Sequence, residues 1–173
     1  MRDKLLHSIL VGIIAGVAVW SAATFNLTGW ILFMAWISYF LFGPTLRSNA
    51  WAFAQMIVGV LLSLLVIQSS MALAPLIGIW GNVGVVILLV AVLGLLEDVQ
   101  PINVLPAYYI GLVIFIATGL PPVPASLWLV IPPILAGFAF GWATVASRGL
   151  LARSLAGRSD AIPSNSVADA SFQ

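Results

Sequence analysis

Along this chain, long apolar runs alternate with short polar breaks, and the runs have the length of membrane-crossing helices. Roughly 20 residues are needed to span the hydrocarbon layer of a bilayer. The pattern predicts a first helix over Leu5–Phe25 and a second over Leu27–Phe42, stopped by Gly43-Pro44. A third runs over Ala50–Ile67 and ends at Gln68-Ser69-Ser70, and a fourth follows Pro75 over Leu76–Leu96. The fifth covers Asn103–Gly119, and the sixth covers Leu127–Ser147 after the Leu120-Pro121-Pro122-Val123-Pro124 link. The expected fold is an all-α polytopic membrane helix bundle with six transmembrane helices.

Charge then orients the bundle. All eleven formal charges fall in four patches: residues 2–4, Arg47, Glu97-Asp98, and Arg148 onward. Cytoplasmic loops carry the Lys/Arg excess, so Arg2, Lys4, Arg47, Arg148, Arg153 and Arg158 place both termini in the cytoplasm. An even number of spans puts every charge on one side, whereas five would expose three arginines outside. Arg2, Lys4 and Ser21-Ala22-Ala23 also fit a cleavable signal peptide. The apolar run between them is at or beyond the usual limit of about 15 residues, which favours a retained helix. Residues 1–150 are expected to form the transmembrane domain, and 151–173 a disordered polar cytoplasmic tail.

Composition narrows the function classes. Apolar residues make up 62% of the chain and charged residues 6%, where soluble domains are about a quarter charged. A net charge of +1 without a basic cluster excludes a nucleic-acid partner. With no cysteine and one histidine, neither a thiolate nor a His-pair metal site can be assembled. The phosphate loop and the nucleophile elbow are missing too. Neither catalysis nor a cofactor is expected.

Within the spans, the polar and aromatic residues leave two readings open. Trp36 and Tyr39 share a face near the middle of the second helix, Gln55 and Asn82 are amides inside apolar runs, and Tyr108-Tyr109 follow Pro106. Together they are candidates for a solute path, since a proline inside a span frees a carbonyl that can line water. The plainer reading, which is favoured, is packed rings and interhelical glue. The other tryptophans fall at helix ends, where an aromatic belt is expected. Gly12/Gly16 and Gly137/Gly141 are four apart, which allows close approach of another helix, within one chain or across a subunit boundary.

Ser8-Ile9 through Gly12, Gly16 and Trp20, then Trp30, Tyr39-Phe40 and Pro44, begin a pattern that continues through Leu73-Ala74-Pro75, Pro106, Gly111 and Phe115. It closes on Val130-Ile131-Pro132, Gly137, Phe140-Gly141-Trp142-Ala143. Over residues 5–150 the chain resembles the domain of unknown function 1097 family of small bacterial inner-membrane proteins. The family has Gly-Gly after the equivalent of Pro44, where this chain has Thr45-Leu46. The resemblance implies a compact multi-pass domain of the bacterial inner membrane and brings no chemistry with it. The residues themselves point to a small-solute channel or permease for an uncharged or weakly charged compound, in the lipid bilayer and as a homo-oligomer. The alternative is a non-transporting assembly or regulatory partner.

Overall fold

The computed structural model describes residues 2–43 and 45–159, with side chains described from Lys4 to Arg153. Among these residues the fold is entirely helical: α1 (Arg2–Thr24), α2 (Gly29–Leu41), α3 (Leu46–Ile77), α4 (Ile79–Gly94), α5 (Leu105–Thr118) and α6 (Leu127–Ser159), with one 3-10 turn at Pro124–Ser126.

Local chemistry sets the boundaries, in places against the sequence expectation. Thr45 caps α3, its hydroxyl accepting the Ser48 N–H at 3.1 Å. Gln68-Ser69-Ser70 does not end α3, because its polar groups find partners outside the helix. Gln68 donates to the Pro122 carbonyl at 2.6 Å, and Ser70 donates to Asn82 Oδ1 at 3.1 Å. The break falls instead at Gly78, where φ is +61°, a conformation that glycine adopts without a Cβ penalty. Pro75 lies in the last turn of α3. Pro106 is likewise not inside a span. It occupies the first turn of α5, where the missing N–H has no helical partner to lose, so it breaks nothing. Pro132 and Pro133 are inside α6. That helix also continues to Ser159 rather than stopping at Ser147, while residues 160–173 of the expected tail lie outside the described residues.

Helix lengths divide the bundle. α1, α3 and α6 are long and apolar enough to cross a membrane. α2, α4 and α5 have 13, 16 and 14 residues, or about 20 to 24 Å at 1.5 Å per residue. The exterior is apolar: Ile9, Ile13, Trp20, Val86, Ile87, Leu88 and Trp128 all face outward.

The packing repeats. α2 lies chiefly against α6, and α3 chiefly against α5, while α1 leans on α6 and α4 on α3. Exchanging the first three helices with the last three reproduces each of these pairs. The register agrees. The buried positions Ile31, Leu32, Ala35, Ser38 and Tyr39 of α2 recur 76 residues later as Ala107, Tyr108, Gly111, Ile114 and Phe115 of α5. On α3, buried Ala52, Gln55, Met56, Gly59, Val60, Ser63 and Val66 recur 78 residues later on α6 as Val130, Pro133, Ile134, Gly137, Phe138, Gly141 and Thr144. Helical periodicity alone lets any two buried faces be aligned somewhere, but the glycine contacts fix this alignment independently. A Cβ on Gly59 would strike the Tyr108 carbonyl, and one on Gly137 would strike the Leu32 carbonyl. Those partners too are 76 residues apart. Lengths follow the same exchange, with 13 and 14 residues in α2 and α5, and 32 and 33 in α3 and α6.

Directions complete the topology. α4 runs back along α3, since Ser70 meets Asn82 and Gly81 packs on Leu73. α1 runs opposite to α6, because Leu6 and Leu10 share a groove with Leu150 and Leu151. With both neighbours reversed by short turns, the two three-helix halves are inverted relative to each other. The described charged residues converge at one end, where Arg47 shares a hollow with Gln100 and Pro101 and Gly43 lies beside Val145. Thr28, Thr118 and Leu129 meet at the other end.

Candidate functional site

The centre of the bundle is closed. Ile31, Ala35, Met56, Val60, Ile114, Phe115, Val130 and Ile134 form one buried cluster drawn from α2, α3, α5 and α6. Close helix approach makes this possible: Gly111 lies against the Met56 carbonyl, and Gly141 against the Tyr39 ring. Two buried hydroxyls of α2 and α6 are satisfied within their own helices. Ser38 donates to the Met34 carbonyl at 2.8 Å and Thr144 to the Phe140 carbonyl at 2.7 Å, so neither requires a water path.

The six candidate path residues do not line a common channel. Gln55 is buried with both ends of its amide engaged: Nε2 donates to the Pro101 carbonyl at 3.0 Å, and Oε1 accepts the Val104 N–H at 2.9 Å. It fastens α3 to the turn that opens α5. Tyr108 acts on the same turn, its hydroxyl donating to the Ile102 carbonyl at 3.1 Å. Tyr109 is half-buried beside it. Asn82 is exposed at the α3–α4 contact with Ser70. Trp36 is buried, stacked on Phe33 at 5.6 Å and tilted against Phe140 at 6.0 Å. Its Nε1 finds no acceptor among the described residues. The other six tryptophans are exposed.

Tyr39 lines an open cavity. A cleft of about 310 Å³ lies between α2, α3 and α6, toward the charged end. Its walls are aromatic, from Tyr39, Phe53, Phe138 and Trp142, with Leu46, Leu135, Ala50 and Ala139 between them and Asn49 as its amide. Phe138 meets Tyr39 edge-on at 5.9 Å and Phe53 at 5.2 Å, a favoured ring geometry. Asn49 is 1% exposed. Its Nδ2 donates to the Gly43 carbonyl at 2.8 Å and the Thr45 carbonyl at 3.1 Å, while Oδ1 has no partner among the described residues. Two carbonyls on one side fix the amide orientation, because swapping its ends would set oxygen against oxygen. Sequence reasoning passed over Asn49, which stands between Arg47 and Trp51 and reads as a loop residue next to a helix start.

The repeat places different residues at the equivalent position of the other end. Asn49, Ala50, Leu135 and Ala139 correspond to Leu127, Trp128, Ile57 and Leu61 at the other end. There Leu127, Ile57 and Leu64 pack on the core around Phe115. Bulky aliphatic groups and an indole thus stand where the cleft has two alanines and an amide.

Of the four candidate packing glycines, Gly137 and Gly141 lie in the α2–α6 contact, and Gly12 and Gly16 meet nothing within 4 Å. Gly59 and Gly111, the tightest contacts on the α3–α5 side, are not four apart on one helix and so carry no spaced motif. Of the orientation charges, Lys4, Arg47, Arg148 and Arg153 are exposed. The side chains of Arg2 and Arg158 lie outside those described.

An all-helical fold with an apolar exterior, and three helices long and apolar enough to cross a bilayer, has the character of a membrane protein. A family model described as a protein of unknown function (DUF1097) matches residues 8–148, and the chain belongs to that family. No curated protein and no solved structure matches it.

Proposed function

We propose that this chain is a six-span permease of the bacterial inner membrane, with both termini cytoplasmic, that moves a small uncharged or weakly charged compound without chemical change. The observation that carries this reading is an inverted three-helix repeat with a cleft at the seam between its halves. Inverted repeats place substrate sites between their halves and expose them alternately by rocking one half on the other. The closed centre argues against a standing pore, so the mode of action is a carrier's. Charge gathered at one end supports the orientation. The short α2 and α5 cross where the long α3 and α6 flank them, with tilt and local thinning of the bilayer making up the length.

The test is solute entry into proteoliposomes followed by rapid kinetic measurement, with water, glycerol, urea, small weak acids and small neutral aromatics, indole among them, compared against empty vesicles. Facilitated entry of one solute, lost when Ala139→Leu fills the cleft, supports the permease. Equal rates across the panel overturn it. A second reading, a membrane assembly partner that acts as a homo-oligomer, is favoured by the open Gly12/Gly16 face of α1. It predicts self-association in bilayers that Gly12→Leu abolishes while solute entry stays at the empty-vesicle rate.

A further inference from the structure

We propose that the cleft between α2, α3 and α6 binds a small uncharged aromatic molecule bearing one N–H or O–H donor, of the indole or phenol class, and that Asn49 Oδ1 accepts its hydrogen bond. The inference names the substrate class of the permease reading above and rests on that reading only for passage across the membrane.

Three observations lead to this ligand. First, Asn49 lines the cleft, and its buried Oδ1 has no partner among the described residues, with its Nδ2 held by the Gly43 and Thr45 carbonyls. A buried oxygen without a donor carries the full loss of its hydration, which a ligand donor restores. An acyl chain from the bilayer fills apolar space but supplies no donor. Second, Tyr39, Phe53, Phe138 and Trp142 wall the cleft, and flat rings fit between them in edge-on or offset contact. Third, no charged side chain lines the cleft, so an ionised ligand would lose its hydration without a counter-charge. A volume of about 310 Å³ is at the small end of ligand pockets and accommodates one or two fused rings. The opposite end of the repeat has Leu127 in place of Asn49 and Trp128 in place of Ala50, so the acceptor and the space occur together on one side only.

The experiment is equilibrium dialysis of the full chain in lipid nanodiscs against indole and against benzofuran, its near-isostere without the N–H, with empty nanodiscs subtracted. Indole is expected to bind about tenfold more tightly than benzofuran, the discrimination given by one hydrogen bond. Ala139→Leu, which fills the cleft without touching the Asn49 bonds, is expected to abolish retention of both. Asn49→Ser is expected to remove the preference while benzofuran binding persists. Should that variant misfold, the wild-type comparison and Ala139→Leu still decide the matter. Equal binding of the two compounds overturns the proposal, as does retention that survives Ala139→Leu or fails to exceed that of empty nanodiscs. Retention of indole with no solute entry into proteoliposomes would keep the site and remove the permease. Solute entry insensitive to Ala139→Leu would do the reverse.

Discussion

The α3–α5 and α2–α6 seams occupy equivalent places in the repeat and are held together by different means. Glycine against carbonyl brings both pairs close: Gly59 and Gly111 on one, Gly137 on the other. The α3–α5 seam is then pinned toward both ends, by Gln55 to residues 101 and 104 and by Gln68 to Pro122. The α2–α6 seam rests on rings, with Trp36 on Phe140 and Tyr39 on Phe138, and opens into the cleft beside them. Directional hydrogen bonds fix separation and register together, while ring contacts tolerate sliding. One seam is pinned by directional bonds, and the other is held by packing alone.

Gly59→Ala tests the pinned seam most severely. Its Cβ meets backbone, which cannot turn aside, and α3 cannot back away without tearing the Gln55 and Gln68 bonds. Loss of about 3 kcal/mol or more is expected, measured by reversible unfolding in mixed micelles. Gly137→Ala also meets backbone, but on the unpinned seam the helices can separate, so a smaller loss is expected. Equal losses would break the comparison. Gln55→Leu comes next, at about 2 kcal/mol, because it strands the buried Val104 N–H and the Pro101 carbonyl. Tyr108→Phe removes one bond to the same turn and is expected to cost about 1 kcal/mol. Tyr39→Phe should stay within about 0.5 kcal/mol, since that ring contributes packing rather than a pin. Smallest of all, Gly12→Ala and Gly16→Ala fill open space and are expected to leave stability within about 0.5 kcal/mol of wild type.

The cleft and the pins also separate what was legible from what was not. Trp36 reads in the sequence as either a pore residue or a packed indole with its N–H bonded to a neighbour; it is buried against Phe33 and Phe140, and its Nε1 has no acceptor among the described residues. Gln55 stands out correctly as an amide in an apolar helix that needs partners. Those partners are 46 and 49 residues away, beyond any local pattern. Asn49 offered no such signal, because a polar residue one turn into a helix is ordinary until its burial is known. The repeat was hidden for a related reason. Gly59/Gly137 is the one identical pair among the buried positions matched between the halves. Membrane packing constrains size and side more than identity, so Met56 and Ile134, or Ala35 and Gly111, serve the same place without resembling each other.

The sequence by itself determined that the chain is helical, apolar, multi-pass in pattern and a member of its family, and where each helix begins to within a few residues, though α3 and α6 run about ten residues past their expected ends. Those features depend on local chemistry: apolar run length, proline and glycine breaks, and the placing of charge. Tertiary structure alone decided which helices pair, that α3 runs on to Gly78, that the halves are inverted copies, and that one amide oxygen beside a 310 Å³ cleft has no partner among the described residues. Each of these is set by groups far apart in the chain meeting at van der Waals or hydrogen-bond distance, and a linear pattern of apolar and polar residues holds no record of such meetings.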